Sequence, residues 1–237
     1  MDAKGAAMSA GQRNSKKRST KRGSIDTIYT QIKTMMYNQD LAPGQKLIYQ
    51  DLAQRLNVST TPILQALHRL ESAKLVRYEQ NKGFFVAEIT EAETRQLYQA
   101  REALEVYLIP ILAEKLTKKR IQEIRNTFRN QKDSSAPNYR RRLMLTDADF
   151  HLTIARASGN QVVVDLLHTV MERIYLKYRA EFLGEERIVR VLKQHRQILA
   201  SLQKKDVETA IQLTREHIQS GMNHMIDSLK NGRLASL

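Results

Sequence analysis

The stretch of residues 46–86 constrains the fold of this chain more than any other part of it. It opens with two short segments whose apolar residues recur at helical spacing, separated by a break at Asn57. Pro62 lies in the first turn of the second segment, where a helix has no internal N–H bond to lose. Two strand-like segments, 75–79 and 84–87, then flank a turn sequence. Two short helices followed by a hairpin predict a winged helix-turn-helix, with the hairpin as the wing.

The second helix of this motif is predicted to enter the major groove of DNA. Ser59 is its expected N-cap, because a serine hydroxyl can accept a hydrogen bond from a free backbone N–H. The tip of the wing can reach an adjacent phosphate backbone or minor groove. The alternative is a helix pair within a protein-interaction domain. The residues expected to contact DNA are Ser59, Thr60, Thr61, Leu64, Gln65, His68, Lys82 and Gly83.

Several motifs within residues 25–88 resemble the GntR family of bacterial transcription regulators. They are Leu41-Ala42-Pro43-Gly44, Asp51-Leu52-Ala53, Asn57-Val58-Ser59, Thr61-Pro62 and Gly83-Phe84-Phe85-Val86. The family usually carries arginine at the positions of Thr60 and Leu64, and both arginines normally face DNA. Because these guanine-reading side chains are missing, the operator is either richer in A·T pairs, which we prefer, or bound more weakly through other contacts.

The composition favours a polyanionic partner, since 39 Lys and Arg against 25 Asp and Glu give a net charge of +14. The absence of cysteine excludes disulfides, thiolate chemistry and cysteine-ligated zinc. We expect a soluble cytoplasmic protein with no membrane partner, because the sequence has neither a secretory signal nor an apolar run long enough to cross a bilayer. Residues 1–23 are predicted to form a flexible basic tail, either as a solubilising segment or as an arm that reaches DNA.

The predicted winged helix-turn-helix spans residues 24–88, and every segment from Glu91 onward is predicted to be helical. The six expected helices are 91–116, 118–132, 139–158, 160–182, 185–204 and 206–230. Pro110 should kink the first of them. Short connections favour an antiparallel bundle over residues 91–230. The fold class is therefore mainly α, with a small β-hairpin wing in the N-terminal part and an all-α bundle in the C-terminal part.

Three histidines and one aspartate are candidate metal ligands in this bundle. Asp147 and His151 are four residues apart, so both project from one face of a helix. His195 and His217 lie at similar distances on either side of the turn between the last two helices. Such a set of nitrogen and oxygen ligands suits Zn²⁺ or Ni²⁺ better than Mg²⁺ or Ca²⁺. Spacing alone also allows these histidines to be unrelated core or surface residues.

The same residues lie in motifs that resemble the C-terminal ligand-binding domain of the FadR subfamily. Its metal-binding members hold a divalent ion through an aspartate, a histidine four residues later and two further histidines. Those positions match Asp147, His151, His195 and His217. Six helices rather than seven resemble the VanR-like branch of the subfamily. Four protein ligands can make a purely structural tetrahedral site, whereas a five- or six-coordinate ion keeps a position for a ligand.

The resemblance implies that a small organic acid contacts this ion. Arg101 matches a position often occupied by arginine, where a guanidinium can hold a carboxylate bidentately; a salt bridge to Glu105 is the alternative. The leading hypothesis is a ligand-responsive regulator, a repressor in the commoner arrangement of the family, that binds double-stranded DNA as a homodimer. A metal-dependent hydrolase with a helix-turn-helix interaction module and a non-specific DNA-coating protein are the alternatives.

Overall fold

The computed structural model of the chain describes residues 24–127, 139–179 and 182–234. The N-terminal elements are α1 Ile25–Tyr37, β1 Lys46–Leu47, α2 Tyr49–Leu56, α3 Thr60–Ser72, β2 Val76–Glu79 and β3 Gly83–Val86. The later helices are α4 Glu91–Lys115, α5 Lys118–Asn126, α6 Tyr139–Ser158, α7 Gln161–Lys177, α8 Glu185–Gln203 and α9 Val207–Leu234. The tail predicted for residues 1–23 lies outside the described residues, as does the end of the helix predicted for 118–132.

Residues 24–86, here called the head, form the predicted winged helix-turn-helix. Ser24 caps α1, since its Oγ accepts a hydrogen bond from the Thr27 amide at 3.1 Å. Asn57 ends α2 in the left-handed conformation, which turns the chain toward α3. Ser59 precedes α3 as predicted, but its hydroxyl makes no capping hydrogen bond within the described chain. The predicted position of this N-cap is therefore right, and its predicted hydrogen bond is wrong.

The wing consists of the predicted hairpin and one additional strand. β2 and β3 pair antiparallel, with Tyr78 opposite Phe84. Gly83 at the turn has a φ of 93°, a conformation that residues with a Cβ rarely adopt. β1 pairs antiparallel with the other edge of β3, with Leu47 opposite Phe84. A strand of two residues is too short to give an alternating pattern, which is why periodicity did not reveal β1.

Helical periodicity accounts for the core of the head. Ile28 and Ile32 of α1 meet Ile63 and Leu67 of α3, and all four side chains are fully buried. Each pair lies four residues apart, so each helix presents one apolar face to the other. Leu176 of α7 joins the same apolar cluster, so the core of the head is completed by a side chain from the C-terminal helices.

The helices from Glu91 onward form the predicted bundle, a name used here for residues 91–234. Its central helix is α4, which packs against α6, α7 and α9. Thr90 caps α4, since its Oγ1 accepts a hydrogen bond from the Glu93 amide at 3.1 Å. The helix extends through Pro110 to Lys115 as one element. None of the described helices is both long and apolar enough to span a bilayer.

The head rests on α6 and α7 of the bundle through polar contacts. Arg141 of α6 donates from Nε to the carbonyl oxygen of Tyr37 at 2.8 Å, close to the end of α1. The Nη1 of the same guanidinium donates to the carbonyl oxygen of Tyr175 in α7. The Tyr37 hydroxyl donates to Glu172 of α7 at 3.3 Å. One buried arginine therefore links the end of α1 to the helix that carries Tyr175.

Candidate functional site

The structure brings the four candidate metal ligands together inside the bundle. Asp147 and His151 project from α6, His195 from α8 and His217 from α9. One ligand atom from each residue lies within 4.8 Å of all the others, and the three histidines are buried. These four residues are called the metal cluster below. Side chains from three different helices therefore meet at one point, as the sequence predicts.

Distances within the metal cluster suit a small cation. His151 Nε2 lies 3.1 Å from His217 Nε2, and His195 Nε2 lies 3.3 Å from the same atom. His195 Nε2 is 3.2 Å from Asp147 Oδ1. Bonds of 2.0–2.1 Å to a tetrahedral ion would separate neighbouring ligand atoms by about 3.3 Å. The spacing of the donor atoms therefore fits a transition-metal ion without rearrangement of the helices.

Hydrogen bonds from outside the metal cluster fix how its side chains are oriented. His151 Nδ1 lies 2.6 Å from Glu105 Oε2, and an ionised carboxylate only accepts, so this nitrogen carries the proton. His217 Nδ1 lies 3.1 Å from the amide oxygen of Gln194. The Tyr175 hydroxyl donates to Asp147 Oδ2. Partners of this kind set the tautomer and the direction of metal-binding imidazoles.

The Nε2 atoms of the three histidines point toward one another. Because Nδ1 of His151 and Nδ1 of His217 each have a partner outside the metal cluster, the Nε2 of each ring is the atom directed into the site. These two Nε2 atoms are 3.1 Å apart in a buried site. Three imidazole nitrogens and one carboxylate oxygen thus converge as ligands of a transition-metal ion do.

Burial sets the ionisation state of the metal cluster. It lowers the pKa of His195 to about 4 and that of His217 well below its usual value. Burial opposes ionisation of Asp147, but the hydrogen bond from His195 and nearby positive charge hold the pKa of this carboxyl well below its ordinary range. At neutral pH, His195 and His217 are therefore neutral and Asp147 is ionised. These are the charge states in which imidazole and carboxylate groups bind a metal, although the proton that His195 Nε2 donates to Asp147 must first move to Nδ1.

Arg101, the predicted effector-binding residue, lies beside the metal cluster and is 1% exposed. Its Nε donates to Glu105 Oε1 at 2.5 Å, so the salt bridge considered as the alternative is present. Burial opposes ionisation of Glu105, but Arg101 and His151 lower its pKa to about 2. Arg101 Nη2 is buried without a hydrogen-bond partner in the described chain. One side of this guanidinium therefore positions Glu105, and the other remains available to a ligand.

A cavity adjoins the metal cluster between α4, α6, α8 and α9. Arg101, Asp147, His195 and His217 line one part of it, and most of the remaining lining is apolar. The volume of the cavity is about 70 Å³. A cavity of this size holds several water-sized groups. It therefore suits a small molecule with polar groups.

The predicted DNA-contacting side chains lie on the open side of α3 and at the wing tip. His68 packs edge-on against Phe84, with 5.0 Å between ring centroids, and so joins α3 to the wing. Lys82 lies 3.1 Å from Glu79 and keeps most of its surface exposed. Ser59, Thr61, Gln65, His68 and Lys82 are exposed, whereas Thr60, Leu64 and Gly83 are half-buried. Leu64 also packs against the core of the head, so only part of it can face DNA.

Spacing along the sequence does not predict the residues that orient the metal cluster. The sequence indicates Glu105 only as a partner of Arg101, and it singles out neither Gln194 nor Tyr175. His151 and Glu105 are 46 residues apart in the chain, and Tyr175 and Asp147 are 28 apart. Spacing within one helix cannot reveal such pairs. A buried charge among the apolar residues of α4 is the signal that could have singled out Glu105.

Comparison with known proteins agrees with this architecture. The model of bacterial regulatory proteins of the gntR family matches residues 24–86, and the FCD domain model matches residues 96–220. The HTH-type transcriptional regulator YdhC of Bacillus subtilis is 25% identical over 210 residues, which cover 86% of this chain and 89% of YdhC. The Uxu operon transcriptional regulator of Escherichia coli is 25% identical over 227 residues, which cover 83% of this chain and 84% of that regulator.

Solved structures share the fold. McbR of Escherichia coli has a TM-score of 0.74 at 21% identity, over 86% of this chain and 98% of McbR. A GntR transcriptional regulator from Rhodococcus has a TM-score of 0.72 at 18% identity, over 86% of this chain and 97% of that one. The predicted combination of a winged helix-turn-helix and a FadR-type C-terminal bundle is confirmed.

Proposed function

The chain belongs to the GntR family of bacterial regulatory proteins and carries an FCD domain, and we propose that a divalent metal and a small organic acid in its bundle control its binding to an operator. It is a DNA-binding transcription regulator, and its family and relatives are regulators rather than enzymes. A metal-dependent hydrolase is therefore not favoured. We propose that, as a DNA-binding regulator, it acts in the cytoplasm.

The convergence of the four ligand atoms of the metal cluster, all within 4.8 Å of one another, is the observation that supports a bound metal. Three imidazole nitrogens and one carboxylate form a donor set of borderline softness, which favours Zn²⁺ or Ni²⁺ over Mg²⁺ and Ca²⁺. When bound, the ion would act as an electrophile toward an oxygen of the effector. Asp147 is the only member of the metal cluster that carries charge, so a dication held there keeps a net positive charge that attracts an anion.

A carboxylate is the effector group that this site suits best. Arg101 offers a buried, unpartnered Nη2 within the described chain, and it lines the same cavity as the metal cluster. A carboxylate in that cavity satisfies the free N–H donors of Arg101 through charge-assisted hydrogen bonds. It also brings an oxygen next to Asp147, His195 and His217. The cavity is small, so the effector is a short organic acid.

DNA recognition is assigned to α3 and the wing, with Ser59, Thr61 and Gln65 as exposed polar contacts. Because Thr60 and Leu64 replace the arginines usual in the family, base readout relies on smaller polar and apolar contacts that suit A·T pairs. The net charge of +14 supplies attraction to the phosphates. We propose that the protein binds as a homodimer, since helix-turn-helix dimers read two half-sites related by two-fold symmetry.

Metal analysis with a thermal shift measurement tests the sensing half of this proposal. We expect bound Zn²⁺ or Ni²⁺ in the purified protein, with a stabilisation of about 4 kcal/mol when the metal exceeds its Kd about a thousandfold. A chelator should reverse that stabilisation. His217→Ala should abolish it, whereas His168→Ala, which removes an exposed histidine of the same bundle, should leave it intact. A metal response that survives His217→Ala would refute the assigned site.

Gel-shift titration on the intergenic DNA upstream of the gene tests the regulatory half. We expect retention of specific DNA against excess bulk competitor, and release of that DNA by an organic acid, as in a repressor. Gln65→Ala should weaken specific binding while leaving the stability of the head within about 0.5 kcal/mol. Equal affinity for specific and bulk DNA would instead support the non-specific coating protein.

A further inference from the structure

We infer that the effector carries two acidic groups, the second of which binds at a subsite formed by Arg187 and His224 in the cavity that adjoins the metal cluster. This inference rests on the proposed function, because it needs the first acidic group to bind at Arg101 and the metal cluster. It deepens that function by specifying the effector as a short dicarboxylate. Arg187 is a buried cation that forms no salt bridge with the described residues.

Arg187 lies in the first turn of α8 and is only 9% exposed, yet it makes no salt bridge within residues 24–127, 139–179 and 182–231. The charge of Asp147 acts on it only from a longer distance. Its Nη1 donates to the Ser220 hydroxyl at 2.7 Å, which fixes the guanidinium without neutralising it. Burial lowers the pKa of Arg187, but a guanidinium stays protonated in proteins. Burying such a charge without a partner costs free energy. An anion in the cavity would offset that cost.

Gly221 of α9 allows Arg187 to approach the cavity wall. A Cβ at this position would lie 3.4 Å from Arg187 Nη2 and 3.0 Å from Tyr98 Cε1. Because glycine leaves this space open, Tyr98 and Arg187 pack side by side against α9. The other arginine of the cavity, Arg101, lies 5.6 Å from the centre of the same Tyr98 ring. Tyr98 therefore lies close to both guanidinium groups, and all three side chains line one cavity.

His224, one turn along α9 from Ser220, adds a second polar group to the subsite. Its Nε2 is buried and has no hydrogen-bond partner in the part of the chain that the structure describes. Both His224 and Arg187 line the cavity that Arg101 and the metal cluster enter. Apolar side chains such as Met144 and Ile188 line it as well. This lining suits an organic acid with a hydrocarbon middle and a polar group at each end.

Charge balance points to the same ligand class. Arg101, Arg187 and a divalent ion carry four positive charges, against two negative charges on Asp147 and Glu105. Metal-bound imidazoles are neutral, so they do not change this balance. The site therefore lacks two negative charges, which a dicarboxylate supplies and a monocarboxylate does not. The small volume of the cavity, about 70 Å³, favours a short hydrocarbon chain between the two acidic groups.

Calorimetric titration of the metal-loaded full-length protein with succinate and with butyrate tests this inference, because these acids share a four-carbon chain and differ in one acidic group. We expect succinate to bind at least about tenfold more tightly than butyrate. Arg187→Gln should remove that preference by weakening succinate alone. Arg101→Gln should weaken both acids. Lys193→Gln removes an exposed charge six residues along α8 and should change neither affinity.

The measured affinities distinguish failure of the second subsite from failure of the proposed function. Equal affinities of the wild-type protein for the two acids, or a preference that survives Arg187→Gln, would overturn the second subsite and leave the proposed function standing. If neither malonate, succinate nor butyrate binds or shifts the melting temperature, the organic-acid function fails as well. Metal content and melting temperature show whether Arg187→Gln is misfolded. If it is, Arg187→Lys, which retains the charge, should show a reduced preference for succinate. An unchanged preference in Arg187→Lys would refute the role of the guanidinium.

Discussion

The head and the bundle bury different kinds of side chain. In the head, residues 24–86, the buried side chains are apolar, with Ile28 and Leu67 fully enclosed. The first buried polar residue along the described chain is Thr94, and all the buried charged residues follow it. They include the Arg101–Glu105 pair and the histidines of the metal cluster. The two parts of one molecule thus use opposite chemistry in their interiors.

The proposed functional residues of the head are therefore on its surface, whereas those of the bundle are in its interior. The apolar core of the head gains stability from every buried side chain and leaves its DNA-contacting residues outside. In the bundle, desolvated charges reduce the stability of the ligand-free protein. The metal and the anion that we propose to bind there would recover part of that free energy. The bundle is therefore the part whose stability should depend on ligands and on pH.

Truncation of the apolar core of the head should give the largest effect on stability. Leu67 of α3 is fully buried in the core that α3 shares with α1, so Leu67→Ala removes apolar contacts and leaves a cavity. We expect a loss of about 2–5 kcal/mol in the free energy of unfolding, measured by urea denaturation. Gln65→Ala, two residues earlier on the exposed face of α3, is the matched control and should change it by less than about 0.5 kcal/mol.

If the interiors of the head and the bundle are independent, Leu67→Ala should still bind metal. The metal cluster lies among apolar residues that belong to other clusters than the core of the head. Stoichiometric metal binding by this variant is therefore expected. Simultaneous loss of metal binding would contradict the separation of the two interiors, and would make Leu176, which joins the core of the head from α7, the residue that transmits the damage.

The two regions also differ in what their sequences reveal. The helices and hairpin of the head were predictable because periodicity, proline and glycine act locally, as at Pro62 and Gly83. The metal cluster was anticipated from the spacing of Asp147 and His151 together with the FadR-type motifs. Glu105, Gln194 and Tyr175 were not, because their contacts join distant parts of the chain. Such partners depend on how the helices pack, which no local pattern encodes.

Acidification should destabilise the metal-free bundle. Burial lowers the pKa of His195 from 6.5 to about 4, so between these values the unfolded chain binds a proton that the folded chain does not. Stability therefore falls as the pH falls through this window. We expect about 1.4 kcal/mol to be lost per pH unit from this residue, and the lowered pKa of His217 acts in the same direction. Urea denaturation of chelator-treated protein at about pH 7 and about pH 5.5 measures this loss.

A matched pair of variants assigns that pH dependence to the interior of the bundle. His195→Gln should flatten the dependence of stability on pH, since it removes the buried titrating group. His68→Gln, which removes an exposed histidine of the head, should leave the dependence unchanged. Equal slopes in His195→Gln and the wild-type protein would place the acid sensitivity elsewhere and weaken the distinction between the two interiors.

The smallest expected effect concerns the junction of the two regions. Tyr175 donates its hydroxyl to Asp147 of the metal cluster, and its carbonyl oxygen accepts from Arg141, which also donates to the carbonyl oxygen of Tyr37 at the end of α1. We expect Arg141→Gln to reduce the coupling between effector and operator binding by about 1 kcal/mol, a change of about fivefold in the effector-dependent shift of DNA affinity. Gel-shift titrations with and without succinate measure this shift.

Arg156→Gln removes an exposed charge from the same helix and should leave the coupling unchanged. If Arg141→Gln alters the metal content, or the DNA affinity measured without effector, but leaves the coupling unchanged, this arginine only supports the fold. The two regions then communicate by another route.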